Sequence, residues 1–412
     1  MKIVTKIPNI EDIELGDTFE ININKVSYFT HSFFKYPCKF IPHIPNWCIE
    51  NFSKKNDYVL DCFAGSGTTL VQSSLLERYP LGIDFDKFSI LLSKVKTTQL
   101  NKDDINEIKS VLPNLFNEGK QNPLPKLNNL THWFSNRNIK DLNTLYHNIN
   151  NLSIDEKNKN FLKVCFASII RKCSYSDEVS PKPYISSKIK KEPKNVFSTF
   201  SNVSNKYLNT FSSDKYTLKN QITFIGEDAR VVDSKKYLGK IKLICTSPPY
   251  INAFDYVRIL RLENIWLRNM DDTDIKGHKE KQIGTEQIYS TQYNEIPQKT
   301  NLKLLDNKIN QLYKIDKKRA HIVLKYFLDM ELNMKSMKRY LIQDGYYILV
   351  VGDCRIRNIN FPIYKYLIEF SKLQGYTLIN YFSYLIKNPY LRIPRKNRGG
   401  LIKYDRIIIL KK

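Results

Sequence analysis

The sequence predicts an α/β fold: an open, mainly parallel sheet with helices on both faces, interrupted by long polar insertions. Two stretches carry that expectation. In the first, a short apolar strand, Tyr58-Val59-Leu60, runs into Asp61-Cys62-Phe63-Ala64-Gly65-Ser66-Gly67-Thr68-Thr69-Leu70. Gly65 and Gly67 permit a tight strand-to-helix turn and close approach of the backbone to a ligand, and Thr68 and Thr69 stand where a helix would start. In the second, the buried-strand pattern Ile241-Lys242-Leu243-Ile244-Cys245 is cut off by Thr246-Ser247-Pro248-Pro249-Tyr250. Two consecutive prolines end the strand and withhold further ladder donors, leaving a rigid bend with a hydroxyl before it and a ring after it. Open α/β sheets bind ligands at that carboxyl edge of their strands.

The elements follow in order. Residues 1–29 mix short alternating apolar runs with acids and Asn, giving strand or arm structure. Residues 40–56 turn helical toward their end and lead into the first core strand at 57–63. A helix over 67–77 precedes a second strand, Leu81-Gly82-Ile83, ending at Asp84-Phe85-Asp86. An acid at the end of the second strand is where a nucleotide ribose is gripped in such sheets. Residues 87–100 predict a helix with Phe88, Leu91, Leu92 and Val95 on one face. Residues 101–220, rich in Asn, Lys and Ser, then interrupt the fold; within them 160–175 reads as a helix lined by Phe161, Val164, Cys165, Ser168 and Ile169. Strands at 222–226 and 241–246 resume the sheet, and 258–267 reads as an amphipathic helix. After a second polar insertion, 270–318, a long helix over 320–342 is closed by Gly345, and a fifth strand follows at 346–352. Residues 376–386 and 404–411 suit an antiparallel hairpin at the sheet edge. The division is therefore 1–100 as the first part of a core, 101–220 as an insertion and 221–412 as the second part.

Of 412 residues, 42% are hydrophobic, enough for a large core, and 65 basic against 41 acidic residues leave a net charge of +24. A polyanionic partner follows from that excess, because phosphate contacts dominate nucleic-acid affinity. An AT-rich coding bias, visible in the abundant Lys, Asn and Ile, competes as a source of the lysines but does not suppress the acids. Seven cysteines (38, 48, 62, 165, 173, 245 and 354) show no Cys-x-x-Cys spacing, and six histidines form no metal pattern with them. Reduced thiols, a cytoplasmic location and no metal are expected. No apolar run reaches membrane-spanning length and no signal-like segment opens the sequence. The glycine turn lacks the Gly-Lys-Ser/Thr of a phosphate loop and is not a GxGxxG fingerprint.

Taken together, the cofactor-type turn Phe63-Ala64-Gly65-Ser66-Gly67-Thr68-Thr69 and the turn Ser247-Pro248-Pro249-Tyr250 give a chain that resembles the S-adenosylmethionine-dependent amino methyltransferases of DNA, the N4-cytosine and N6-adenine group. Two further stretches are similar to that family: residues 30–40, Thr30 through Phe40, and Gly226-Glu227-Asp228-Ala229-Arg230. The matches cover 30–90 and 222–260. The resemblance implies a Rossmann-like seven-stranded methyltransferase sheet with helices on both faces and inserted DNA-recognition regions, of which 101–220 is the first choice and 270–318 a contributor.

The resemblance also implies roles. S-adenosylmethionine would lie against Phe63, Ala64, Gly65, Ser66, Gly67 and Thr68, with Asp84 and Phe85 at its ribose and Asp228 and Ala229 at its adenine. Thr30 and Lys39 would lie near its methionine end, and Asp61 and Thr246 beside it, Asp61 binding the amino group or bracing the strand end. Ser247, Pro248, Pro249 and Tyr250 form the catalytic set. The Ser247 hydroxyl and Pro248 carbonyl can accept hydrogens from an exocyclic amino group, and the Tyr250 ring can stack on a flat base. A flipped base is required, since a base within a duplex cannot reach such a pocket. Asn252-Ala253-Phe254-Asp255-Tyr256 would extend the base pocket. Serine at the head of the motif favours cytosine N4 over adenine N6. Cys38 follows Pro37, as in the nucleophile of 5-methylcytosine enzymes, but precedes the cofactor turn and lacks that family's surroundings, so no covalent intermediate is expected. For DNA contact, Lys188, Lys190 and Lys191 lie in a Pro-bounded basic segment that reads either as a solvated linker or as a DNA-contacting arm; Arg392, Arg395, Lys396 and Arg398 lie in a basic loop near the sheet edge. Double-stranded DNA is the expected partner, with a cognate restriction endonuclease as a functional one. An RNA methyltransferase and a non-catalytic DNA-binding subunit are the competing readings.

Overall fold

The computed structural model describes residues 1–23, 27–37, 39–117, 123–188, 190–213, 215–251, 255–386 and 402–412. The basic loop carrying Arg392, Arg395, Lys396 and Arg398, together with Cys38 and Asn252–Phe254, lies outside the described residues.

Among them, the strands are β1 (Lys2–Val4), β2 (Thr18–Ile21), β3 (Tyr58–Asp61), β4 (Tyr79–Ile83), β5 (Thr223–Gly226), β6 (Ile241–Thr246), β7 (Leu341–Gly352), a small separate pair β8 (Cys354–Ile356) and β9 (Ile359–Phe361), β10 (Thr377–Leu385) and β11 (Tyr404–Lys411). The main sheet runs β1-β2-β10-β11-β7-β6-β3-β4-β5. Strands β5, β4, β3, β6 and β7 are mutually parallel, and β11 is antiparallel to both β7 and β10. Chain order reverses between β3 and β6, so the carboxyl ends of those two strands flank the crevice where doubly wound sheets bind ligands. This is the expected seven-stranded Rossmann-like sheet with two strands added. β2 pairs in parallel with β10 through Thr18 and Phe19, and β1 pairs with β2. The final hairpin is therefore internal, where the sequence placed it at the edge: β1 and β2 are too short, at 3 and 4 residues, for alternation to announce them.

Side chains of β7 show why the sheet is buried on both faces. Ile348 and Val350 pack with helix α1 (His43–Phe52) against Val59, Leu243 and the hairpin strands. Tyr347, Leu349 and Val351 point the other way, into a cluster built mainly from α13 (Lys303–Ile315), α14 (Lys317–Tyr340) and α15 (Ile363–Leu373). The long helix ends at Tyr340, not near Gly345. Leu341 turns extended and pairs at once with Ile241; residues 342–345 then bulge out, Asp344 at φ 63, before Tyr346 pairs with Leu243.

The segment 101–220 is a block of helices, α4 (Lys102–Val111), α5 (Leu130–Trp133), α6 (Asn136–Asn150), α7 (Glu156–Ile170) and α8 (Val196–Leu208). They share one apolar cluster with α2 (Thr68–Leu75), α3 (Lys87–Lys96) and the Tyr256–Trp266 region, through residues such as Val71, Phe88, Phe161, Phe200 and Trp266. Helix α7 starts four residues earlier than the pattern suggested, because the Asp155 carboxylate accepts the Lys157 N–H and caps it. It is buried nearly all round, Leu162, Phe166 and Ala167 included, where the sequence suggested one face. The expected helix 258–267 is two short ones, α9 (Tyr256–Ile259) and α10 (Arg261–Trp266), broken at Leu260. Two more short helices, α11 (Ile275–Lys281) and α12 (Ser290–Tyr293), lie in the second insertion. No described helix is long and apolar enough to cross a membrane.

Candidate active site

The turn after β3 is built by its glycines. Gly65 has φ +48 and Gly67 φ +73, the left-handed region that favours glycine. The Gly65 N–H donates to Asp84 Oδ2 at 2.7 Å, which locks the turn to the end of β4. Ser93 Oγ donates to the Gly65 carbonyl at 3.0 Å, and the buried Lys96 Nζ donates to the Ser66 carbonyl at 2.5 Å. Asp86 donates its N–H to Asp84 Oδ1 at 2.9 Å and caps α3 through the Ser89 N–H. The turn is thus held from behind by α3, leaving its front open.

That front faces a cleft of about 320 Å³. Phe63, Ala64, Gly65, Ser66 and Thr68 line it from β3, and Asp84, Phe85 and Asp86 from β4. Asp228, Ala229 and the exposed Glu227 line it from β5, Ser247 and Pro249 from the end of β6, and Lys39 from the segment before α1. Four of the expected cofactor residues do not line it. Thr30 is buried, with its hydroxyl donating to the Lys96 carbonyl at 2.8 Å. Gly67 is backed by Ser93. Asp61 and Thr246 hydrogen-bond each other at 2.5 Å beneath the turn, and Asp61 also accepts the Phe63 N–H at 3.1 Å. Of the two roles open to Asp61, bracing the strand ends is the one these bonds perform.

Acidic and basic side chains both line the cleft. Burial, then the neighbouring Asp86 charge, pushes the Asp84 carboxyl up to about 7. Asp84 is only half-buried and opens to the cleft, so water screens part of that effect. Burial pushes Asp61 up to about 6 and brings the Lys39 ammonium down to about 8. Lys39 Nζ donates to the His31 carbonyl at 2.6 Å. Asp228 is held below the usual carboxylate range: burial works to raise it, but the Arg230 guanidinium outweighs that, with Nε at 2.9 Å and a second nitrogen at 2.7 Å. Cys62 also lines the cleft, and burial pushes its thiol up to about 12, so it is no thiolate nucleophile.

The catalytic set divides. Ser247 and Pro249 face the cleft, whereas Pro248 is buried and Tyr250 turns toward β7 and β11. Tyr250 donates to Asp405 Oδ1 at 2.6 Å, and Tyr384 donates to the other oxygen of the same carboxylate at 2.7 Å. The Tyr250 ring lies so close to Gly352 that a Cβ there would meet it at 3.2 Å. Of the lysines expected at DNA, Lys188 and Lys190 are exposed. Lys191 is not available for that contact: its ammonium donates to the Arg171 and Ser176 carbonyls and pairs with Glu178 at 3.1 Å.

Tyr36 lies in the 30–40 stretch and Tyr256 in the 252–256 stretch that the sequence singled out, whereas Lys281, Gln282 and Ile283 had no signal in it. Tyr36 stacks on Tyr256 at 6.3 Å between ring centroids and covers Gly65. Lys281, Gln282 and Ile283 reach the cleft from the second insertion, and the Arg230 guanidinium fixes them by donating to the Lys281 carbonyl at 3.1 Å. Only a motif-free segment folding back could place them there. Among the described residues, no cluster of His, Cys, Asp and Glu could hold a metal ion.

The residues suit a bound S-adenosylmethionine on their own chemistry: aromatic side chains, carboxylates, lysines, and a turn at which a Cβ on Gly65 would press toward Tyr36. Comparison with known proteins agrees. The N6/N4 DNA methylase family model matches residues 4–95. The Type II methyltransferase M.MvaI of Kocuria varians is 25% identical over 393 residues, covering 89% of this chain and 86% of its own. M.BsoBI of Geobacillus stearothermophilus, also a Type II methyltransferase, is 24% identical over 285 residues, or 61% of this chain and 55% of its own. A SAM-dependent methyltransferase of Methanosarcina mazei aligns over 89% of this chain and 96% of its own, at 9% identity and a TM-score of 0.32, too loose a superposition to carry an argument. With the cofactor-type turn inside the matched segment and Ser247 and Pro249 facing the same cleft from β6, the chain is similar to the N4/N6 group of S-adenosylmethionine-dependent DNA methyltransferases.

Proposed function

We propose that this chain methylates the N4 amino group of cytosine in double-stranded DNA, as the modification enzyme of a bacterial restriction–modification pair acting on cytoplasmic DNA. One observation carries the reading: Ser247 and Pro249 share a single cleft with the Phe63–Thr68 turn and Asp84. Bound there, the cofactor supplies an electrophilic methyl group. Asp84 accepts the ribose hydroxyls, Phe63 and Phe85 flank the adenosine, and Lys39 takes the methionine carboxylate. Asp228 is already engaged by Arg230, which leaves the exposed Glu227 as the second acid able to read the adenine amino group.

At the target, the Ser247 hydroxyl and Pro248 carbonyl accept the two amino hydrogens, favouring a pyramidal and more nucleophilic nitrogen. The base has to leave the stack to reach them. Positioning does most of the work, and in well-oriented cases it supplies roughly 7–11 kcal/mol of the barrier. The exposed Lys188 and Lys190, with Arg392, Arg395, Lys396 and Arg398, contribute phosphate contacts. The same cleft suits adenine N6; the serine at position 247 is what favours cytosine.

The test uses unmethylated genomic DNA and isotopically labelled S-adenosylmethionine, with the product nucleosides identified by mass spectrometry and Ser247→Ala as control. Label in N4-methylcytosine is expected. Label in N6-methyladenine would keep the mechanism and overturn the base. Label only in an RNA control would overturn the DNA reading.

A further inference from the structure

A second cavity, of about 200 Å³, lies behind the segment that walls the cofactor cleft. Tyr36 faces the cleft, while its neighbours Lys35 and Pro37 face this second space. Its far walls come from α7, α8 and α10. Phe34, Pro37, Val203 and Leu260 make flat apolar sides. Lys35, Lys172 and Lys206 are part of its lining, with Lys35 and Lys206 exposed to solvent. Pro181, where the basic segment 182–194 begins, also borders it. That segment is tied down at this point, because the Arg171 guanidinium donates to the Asp177, Ser180 and Pro181 carbonyls.

Two polar atoms here have no partner. Glu263 lines the cavity, is 1% exposed, and its Oε2 accepts no hydrogen bond; Arg171 Nε donates none. Burial pushes the Glu263 carboxyl up to about 7 in spite of the Arg171 charge. An orphaned buried acceptor is costly to keep, so a retained one in a lined cavity points to a ligand that satisfies it. A fitting ligand offers a donor to Glu263 and an acceptor to Arg171 and carries negative charge toward Lys35, Lys172 and Lys206, which outnumber the Glu178 carboxylate that also lines the cavity and is paired with Lys191. A nucleobase edge presents adjacent donors and acceptors, and its phosphate supplies the charge.

We infer that this second cavity is a nucleotide subsite that takes one unpaired nucleobase, its donor edge on Glu263 and its phosphate among Lys35, Lys172 and Lys206. The inference rests on the DNA reading above and deepens it: a base other than the methylated one is held beside the catalytic cleft.

The experiment is saturation-transfer NMR with dCMP, dAMP, dGMP and dTMP on full-length protein, with S-adenosylhomocysteine filling the cofactor cleft. Transfer to base protons of at least one nucleotide is expected, weakened about tenfold or more in affinity by Glu263→Met with cofactor binding unchanged. Absence of transfer in the wild type, or its survival in Glu263→Met, overturns the subsite. If Glu263→Met does not fold, the exposed Lys206→Ala decides: affinity falling toward that of the free nucleoside supports the subsite, and unchanged affinity overturns it. The labelling of genomic DNA by wild-type protein tests the underlying reading separately, since that assay uses neither variant.

Discussion

At the scale of single residues, the Asp405 carboxylate decides how the catalytic turn is held. It is buried and accepts from both Tyr250 and Tyr384, so it fixes the ring that follows the two prolines. Asp405→Ala removes both acceptor oxygens and leaves both tyrosine hydroxyls unmatched, at a cost of about 1–3 kcal/mol each in stability. With Tyr250 released, kcat should fall about tenfold or more, equivalent to some 1.4 kcal/mol of transition-state positioning, while cofactor affinity stays within error. Tyr384→Phe keeps the Tyr250 bond and should lose much less activity; equal losses in the two variants would dissociate Tyr250 from the effect. Asp84 and Lys39 make a second case, in pH. In the proposed binding mode, cofactor hydroxyls favour ionised Asp84, whose carboxyl is pushed up to about 7, so binding below that value requires proton release and weakens. The cofactor carboxylate favours protonated Lys39, brought down to about 8, so binding above that value requires proton uptake and weakens as well. Affinity for S-adenosylhomocysteine should therefore peak between those two values. Calorimetry in buffers of different ionisation enthalpy reads the sign of proton transfer directly, and a monotonic profile would remove one of the two groups from the site.

At the scale of elements, the two glycines of the β3 turn separate conformation from space. Both have positive φ, which costs a side-chain-bearing residue about 1–2 kcal/mol. A Cβ on Gly65 would meet the Tyr36 ring at 3.5 Å, ordinary contact, whereas one on Gly67 would sit 2.7 Å from Ser93 Oγ and 3.2 Å from its Cα. Gly65→Ala should thus lose only the conformational cost in chemical denaturation. Gly67→Ala should lose more, because α3 must shift, and should disturb the Ser93 bond to the Gly65 carbonyl. The turn was legible in the sequence because glycine spacing and a strand-terminal Asp are local signals. Helix boundaries were less so: α14 stops at Tyr340 through a strand pairing with Ile241 a hundred residues away, which no local pattern at Gly345 encodes. Likewise α9 and α10 break at Leu260 inside an apolar cluster, a break set by tertiary packing that the amphipathic stripe over 258–267 does not reveal.

At the scale of the whole molecule, the motifs gave one half of the cleft and the fold supplied the other. Phe63–Thr68, Asp84 and Ser247 were readable because their chemistry is written in short stretches, and Tyr36 and Tyr256 lie in stretches the sequence singled out, but Lys281–Ile283 reach the cleft only through tertiary folding of a segment that looks like insertion. The polar composition of 270–318 suggested a DNA-reading appendage, yet part of it walls the cofactor cleft through the Arg230 bond to Lys281. A ligand in that cleft therefore touches every one of these segments and should couple them. A ligand that binds only the folded state adds about 2.7 kcal/mol of stability at roughly 100 times its Kd. S-adenosylhomocysteine at that excess should raise the denaturation midpoint accordingly. Hydrogen exchange should slow together in 34–40, 227–229 and 281–283, and stay unchanged in α13, none of whose residues lines the cleft. Arg230→Met should uncouple 281–283 and loosen 227–229, since it removes both the bond to the Lys281 carbonyl and the pairing with Asp228, while Asp84 and the glycine turn stay in place. Protection confined to 63–68 and 84–86 in the wild type would mean that the second insertion does not take part in holding the cofactor.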